Sequence, residues 1–139
     1  MLGMDLTWDW GLAETGQTIQ VANSDPMLHN VHPTPKPGTG NKEANKAQLP
    51  KGPKLDFAFP DEEMFLRFKC DVHPWMFAYM SVFDHPYHAT TDKDGNFKIS
   101  GVPAGKYTLV AHHRKAGTTE TEVEVKADGA TVALSLDAK

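Results

Sequence analysis

The seven residues Cys70-Asp71-Val72-His73-Pro74-Trp75-Met76 place a thiol, an imidazole and a thioether close together, directly after a strand-like run. A thiolate and two imidazoles in a plane, with a weak and long axial methionine, form the donor set that holds copper for electron transfer. The second imidazole has candidates in Leu28-His29-Asn30-Val31-His32, upstream of the cysteine. Cys70 is the only cysteine, so no internal disulfide accounts for it.

A cysteine ligates a metal as its thiolate, a form that a bound ion or nearby positive charge favours. Soft thiolate and thioether donors favour copper over magnesium, calcium or manganese. In a short Cys-x2-His loop both donors can turn toward one ion. Pro74 ends the strand and stiffens the return, and Met76 can reach the ion from the far side. A structural zinc site would more often bring paired Cys-x2-Cys motifs or a Cys2His2 set, which this chain lacks. Taken singly, each residue has a commoner use: a buried cysteine as a small apolar side chain, a histidine as a hydrogen-bonding group, Trp75, Met76 and Phe77 as core. Their joint spacing at a strand end, after a histidine-rich segment, points to a metal.

The elements that must position these donors read as strands, because the apolar periodicity is mostly two. Ile19 and Val21 share a face in Gln17–Asn23. In Met64–Cys70 the residues Met64, Leu66, Phe68 and Cys70 fall on one parity, with Arg67 and Lys69 on the other. That parity predicts a core-facing thiol. Met76–Phe83 is apolar on both parities, as in a strand covered on both faces. Asp25–Leu55, rich in Pro, Gly, Lys and Asn, reads as a long surface excursion. Beyond residue 88 the turn chemistry is strong: Asp92-Lys93-Asp94-Gly95-Asn96, Val102-Pro103-Ala104-Gly105 and Ala127-Asp128-Gly129-Ala130. Between these turns Phe97, Ile99, Tyr107, Leu109, Val123, Val125, Val132 and Leu134 predict further antiparallel strands packed against or beside the metal-bearing sheet. The class is all-β, a β-sandwich of eight or so strands.

Size and charge exclude several functions. The chain has 139 residues and a formal net charge of −4, with acids and bases mixed along it. That length fits one domain with one real core. Nothing reads as a nucleic-acid patch or a basic membrane-surface helix, and no apolar run approaches the roughly 20 residues of a membrane span. Met1-Leu2-Gly3-Met4 lacks the pattern of a signal peptide, so either an export signal has been removed or the chain is part of a longer one. No Ser-His-Asp set, paired-carboxylate signature or nucleotide loop stands out, and enzyme activity is not expected.

Leu28-His29-Asn30-Val31-His32 followed by Cys70-x2-His73-Pro74-Trp75-Met76 resembles the cupredoxins, the small blue copper proteins, over about residues 15 to 83. The resemblance implies a Greek-key β-sandwich with one type 1 copper ion. His29, Cys70 and His73 would lie in the plane and Met76 on the axis, with His32 as the rival to His29. It also implies that the Asn30 N–H donates to the Cys70 sulfur while the Asn30 side chain ties the two ligand loops together. The function implied is one-electron transfer by Cu(I)/Cu(II) cycling. The partner would be a cytochrome or copper enzyme, docking on an apolar patch near Pro74, Trp75 and Phe77. The compartment implied is the periplasm or exterior of a bacterium. Two rival functions share much of this site: copper binding and delivery without redox turnover, and an interaction module with copper as a structural clip.

Thr91-Asp92-Lys93-Asp94-Gly95-Asn96-Phe97-Lys98-Ile99 and Val102-Pro103-Ala104-Gly105-Lys106-Tyr107-Thr108-Leu109 resemble the transthyretin-like or carboxypeptidase-regulatory-like β module. The expected division is a copper-binding part over 1–87 and these strands over 88–139, packed into the same domain or separate from it. Cupredoxins place a full strand before the one leading to the first histidine, and Met1–Trp10 leaves little room for it. Trimming, a missing strand or completion by another segment would account for that. His85, His88, His112 and His113 are candidates for a second metal site, with loop and strand-end polar roles as the alternative.

Overall fold

The computed structural model describes residues 2–5 and 11–137, with side chains from residue 11 onward. Ten strands and no helix are found among them: β1 (Leu2–Asp5), β2 (Gly11–Glu14), β3 (Ile19–Ala22), β4 (His29–Thr34), β5 (Lys46–Gln48), β6 (Leu55–Phe57), β7 (Glu63–Lys69), β8 (Phe77–Phe83), β9 (Gly105–His113) and β10 (Gly117–Val125). The chain is all-β, as its periodicity predicts.

One sheet has five strands in the order β2-β8-β7-β4-β5, parallel only between β2 and β8. A second has the order β1-β3-β6, with β1 parallel to β3 and β6 antiparallel to it. Ile19, Val21 and Phe57 of the second sheet share one core cluster with Val31, Leu66, Phe68, Ala78, Met80 and Val82 of the first. Phe68 sits at its centre, completely buried, with Phe57 and Phe59 each edge-on to its ring at 5.8 Å. The chain crosses between the sheets at Thr15-Gly16-Gln17. The Thr15 N–H donates to the Phe83 carbonyl and the Gly16 N–H to the Phe59 carbonyl, both at 2.8 Å. Gly16 has φ 74° there, which suits a residue without Cβ.

A strand does occupy Leu2–Asp5, where little room was expected, in register from Leu2↔Ile19 to Asp5↔Ala22. The rest of Met1–Trp10 lies outside the described residues. The Asp25–Leu55 excursion is also more ordered than its composition suggests. It contains β4 and β5, and Val31, Gln48 and Asn41 are buried in it. Its polar residues bond inward. The Glu63 carboxylate, 4 % exposed, accepts from the Lys36 N–H (2.8 Å) and the Asn41 amide (3.0 Å), which pins the β4–β5 loop to β7.

The expected parity of β7 holds from Leu66 onward: Leu66, Phe68 and Cys70 are buried and Arg67 is exposed. It fails at Met64, which is only half-buried, while Glu63 is buried. A bulge between Glu63 and Leu66 shifts the register against β8, with Phe65 at φ 62°. An extra residue in one strand swaps the faces on its two sides. On β8, Ala78, Met80 and Val82 face the core, while Phe77 and Tyr79 are half-buried on the far side. The Arg67 and Arg114 guanidinium groups lie 5.0 Å and 4.8 Å from those two ring centroids.

Residues beyond 88 depart further from expectation. Their strands are β9 and β10, paired from Gly117↔His113 to Val125↔Gly105. Phe97–Ile99 and Val132–Leu136 form none. Of the expected inward set, Ile99, Leu109, Val123, Val125, Val132 and Leu134 are half-buried, Phe97 and Tyr107 are exposed, and none is buried. The Asp92–Asn96 turn forms as read: Gly95 has φ 84°, and the Asp92 N–H donates to the Asn96 carbonyl at 2.8 Å, whereas Val102–Gly105 closes no turn hydrogen bond. A core requires a third strand or an opposing layer, which two strands do not supply. The tip of the hairpin does reach the five-stranded sheet. Arg114 donates to the Tyr79 hydroxyl at 3.0 Å, and the His112 ring stands edge-on to Phe65 at 6.4 Å.

Candidate metal centre

β4 and β7 run antiparallel with His32 opposite Lys69, so the start of β4 lies beside the residues that follow β7. His29 opens β4 and Cys70 directly follows β7, and both are 2 % exposed. The chain then turns back tightly. The Met76 N–H donates to the His73 carbonyl (2.9 Å) and the Cys70 N–H to the Met76 carbonyl (3.1 Å). This closure folds His73 over Cys70.

Three donor atoms meet as a result. The Cys70 Sγ lies 3.8 Å from His29 Nδ1 and 3.8 Å from His73 Nδ1, and the two Nδ1 atoms are 3.1 Å apart. A first-row ion about 2.0 Å from each nitrogen and about 2.3 Å from the sulfur would see the nitrogens about 100° apart and each nitrogen about 125° from the sulfur. Those angles almost close a plane, so the three donors fit a trigonal ion. Met76 is half-buried at the end of the same loop.

The groups behind the donors set their orientation. His29 Nε2 lies 3.0 Å from the Asp25 carboxylate, which only accepts, so that nitrogen carries the proton and, in the neutral ring that a metal needs, Nδ1 is the nitrogen left to present a lone pair toward Cys70. Asn23 holds the approach to His29 by donating to the carbonyls of Met27 (3.0 Å), Leu49 (3.1 Å) and Gln48 (3.3 Å). The Asn30 side chain joins the two loops. Its oxygen accepts from the N–H groups of Asp71 (2.6 Å) and Val72 (3.3 Å), and its nitrogen donates to the Asp71 carboxylate (3.0 Å) and to Asn45 (2.6 Å). Removing these bonds leaves two loop N–H groups without their acceptor. Asn30→Ala is therefore expected to lower the unfolding free energy by about 1–3 kcal/mol, read from urea denaturation of the metal-free protein. An unchanged midpoint would show that the tie carries no stability.

His32 does not join the donor triangle; its ring nitrogens bond Asp71 and Glu43 instead. Hydrogen bonds to His32 first, then to Asn30, hold the Asp71 carboxyl well below the usual carboxylate range. Asp25 and Asp71 went unread in the sequence. The one signal for Asp25 is a carboxylate four residues before His29; Asp71 shows its role only when the loops meet.

The histidines at 85, 88, 112 and 113 do not converge as a set. His113 Nδ1 accepts from the Lys115 and Ala116 N–H groups, and His112 Nδ1 lies 3.0 Å from the Thr118 hydroxyl. His88 stacks on Phe83, and burial first, then the His85 charge, lowers its pKa. Among the described residues a second donor group, Glu62, Asp84 and His85, lies within 4.8 Å, but all three are exposed.

Of the residues expected to form an apolar patch, Pro74 and Trp75 are exposed and Phe77 is half-buried. Trp75 (63 % exposed) and Val72 (50 %) project from the loop that carries His73, and Met27 and Leu28 are exposed just before His29. Trp75 lies 5.2 Å from the His73 ring. The half-buried Phe77 packs against Tyr79, with the Arg67 guanidinium over its ring.

Residues 78–137 match the carboxypeptidase regulatory-like domain family. The match begins inside β8, ahead of the expected division at 87/88. The chain is also similar to solved structures of copper proteins. A Cu(I) form of an amicyanin mutant is 18% identical with a TM-score of 0.49, and an oxidized form of another amicyanin mutant is 20% identical with the same score. Each similarity covers 58% of this chain and 80% of the other. A purple cupredoxin from Nitrosopumilus maritimus is 21% identical over 52% of this chain and 76% of its own, with a TM-score of 0.43. No curated protein matches the chain.

Proposed function

We propose that this chain is a type 1 copper protein that carries single electrons, with His29, Cys70 and His73 holding the ion and Met76 as its weak axial ligand. The observation that carries the reading is the triangle of one buried thiol and two Nδ1 atoms, with spacings that suit a near-planar ion. Copper, if held by these residues, would supply the redox chemistry as a one-electron Cu(II)/Cu(I) couple.

The protein's own part is to keep the donors still. Asp25 holds the His29 ring in the required tautomer, and Asn30 locks the Cys70 loop against β4. The Asn30 N–H, in this reading, donates to the Cys70 sulfur. Little ligand movement between oxidation states favours rapid exchange of an electron. His73 is half-buried beside exposed Trp75 and Val72, so a redox partner docking there would come close to a ligand. An exposed apolar patch of this kind suits a small, short-lived interface. The partner class we favour is a cytochrome or copper enzyme, in the periplasm or outside a bacterial cell. No helix among the described residues is long and apolar enough to cross a membrane.

Met76→Leu separates electron transfer from copper delivery. An axial sulfur stabilises Cu(II), so its loss should retain copper and colour while raising the reduction potential. Voltammetry of the variant checks this. Complete loss of copper would instead make Met76 a principal holder of the metal, as a Cu(I) delivery protein requires.

A further inference from the structure

The His32 side chain, 12 % exposed, is held between two carboxylates from different segments. Its Nδ1 lies 2.6 Å from Asp71 Oδ2 and its Nε2 lies 2.5 Å from Glu43 Oε1. Ionised carboxylates only accept, and a neutral imidazole has a single N–H. Both bonds can therefore form together only when both ring nitrogens carry protons. Asp71 follows Cys70 directly, while Glu43 belongs to the 35–45 loop between β4 and β5. We infer that His32, as an imidazolium, is a positioning residue that clamps the β4–β5 loop to the Cys70 loop, and that loss of its proton releases Glu43.

The partners decide which side lets go. Asp71 also accepts from Asn45 (2.9 Å) and Asn30 (3.0 Å) and pairs with Lys69 (3.1 Å). Glu43 is 65 % exposed and bonds His32. The charged groups facing His32 are thus Glu43, Asp71 and Lys69. Burial lowers the His32 pKa, but the hydrogen bonds to Glu43 and Asp71 outweigh it, and the pKa stands above its ordinary 6.5. A raised pKa means that the clamp is fully closed below the unfolded value and opens as pH rises through the folded one. The clamp is a property of the metal-free chain; its bearing on copper rests on the proposed function.

The test is an NMR titration of the metal-free protein, following the His32 ring protons and amide hydrogen exchange at Lys42–Asn45. His32 should titrate above 6.5. Across that titration the amides, corrected for intrinsic rates, should exchange about tenfold faster, the scale of one lost charge-assisted hydrogen bond. His32→Gln should exchange fast at every pH. His32→Arg, which keeps the charge and can donate to both carboxylates, should exchange slowly at every pH. Titration at or below 6.5, or exchange indifferent to the state of His32, would overturn the inference. Copper loading separates the two claims: an intact clamp in a protein without an intense visible band supports the clamp and refutes only the copper reading, whereas a coloured protein with indifferent exchange does the reverse.

Discussion

Cys70→Ala should abolish the visible colour of the copper-loaded protein. In the proposed site the thiolate is the source of the charge-transfer band, and the chain has no second cysteine to replace it. The fold should survive, because the side chain removed is small and sits at the end of β7 rather than in its middle. Two imidazoles would remain, 3.1 Å apart at their Nδ1 atoms, and could still hold Cu(II) weakly. The absorption spectrum and a folded far-UV signal together check this. A coloured variant would refute the assignment of Cys70.

The largest effect on stability is expected at Phe68. It is fully buried between Phe57 and Phe59, and it lies two residues before Cys70 on the same face. Truncating a core phenylalanine costs about 3–5 kcal/mol, and a domain of this kind has only about 5–15 kcal/mol in total. Phe68→Ala should therefore lower the denaturation midpoint sharply and loosen the donor loop. Val123→Ala in β10, whose side chain is only half-buried, should cost much less. Comparable losses at the two positions would mean that the C-terminal hairpin shares the main core after all.

Much of the donor group was legible because it depends on short-range spacing. Cys70 and His73 belong to one loop, and the alternation Leu66, Phe68, Cys70 aims the thiol inward. Only the resemblance favours His29 over His32; residue type alone does not separate them. β4 aims His29 at Cys70 and leaves His32 among carboxylates, which supports the proposed ligand set. Met64 leaves the face its parity predicts because the bulge at Phe65 carries no glycine to announce it. Asn41, Gln48 and Glu63 resembled surface residues in composition, yet each is buried through bonds to distant backbone or side chains. In residues 88–137 the turns at 92–96 and 127–129 formed as read, since turn chemistry acts within four residues, whereas Val102-Pro103-Ala104-Gly105 closes no turn. Strand pairing and burial need a partner elsewhere, and alternation does not specify one.

In the proposed function, this triangle holds copper and cycles it by one electron. Titrating Cu(II) into the metal-free wild-type protein, followed by one reduction and reoxidation, tests it most directly. The expected result is an intense visible band that saturates at one equivalent, bleaches on reduction and returns in full on oxidation with the metal still bound. A colourless or weakly coloured Cu(II) form, or copper released on reduction, would contradict it.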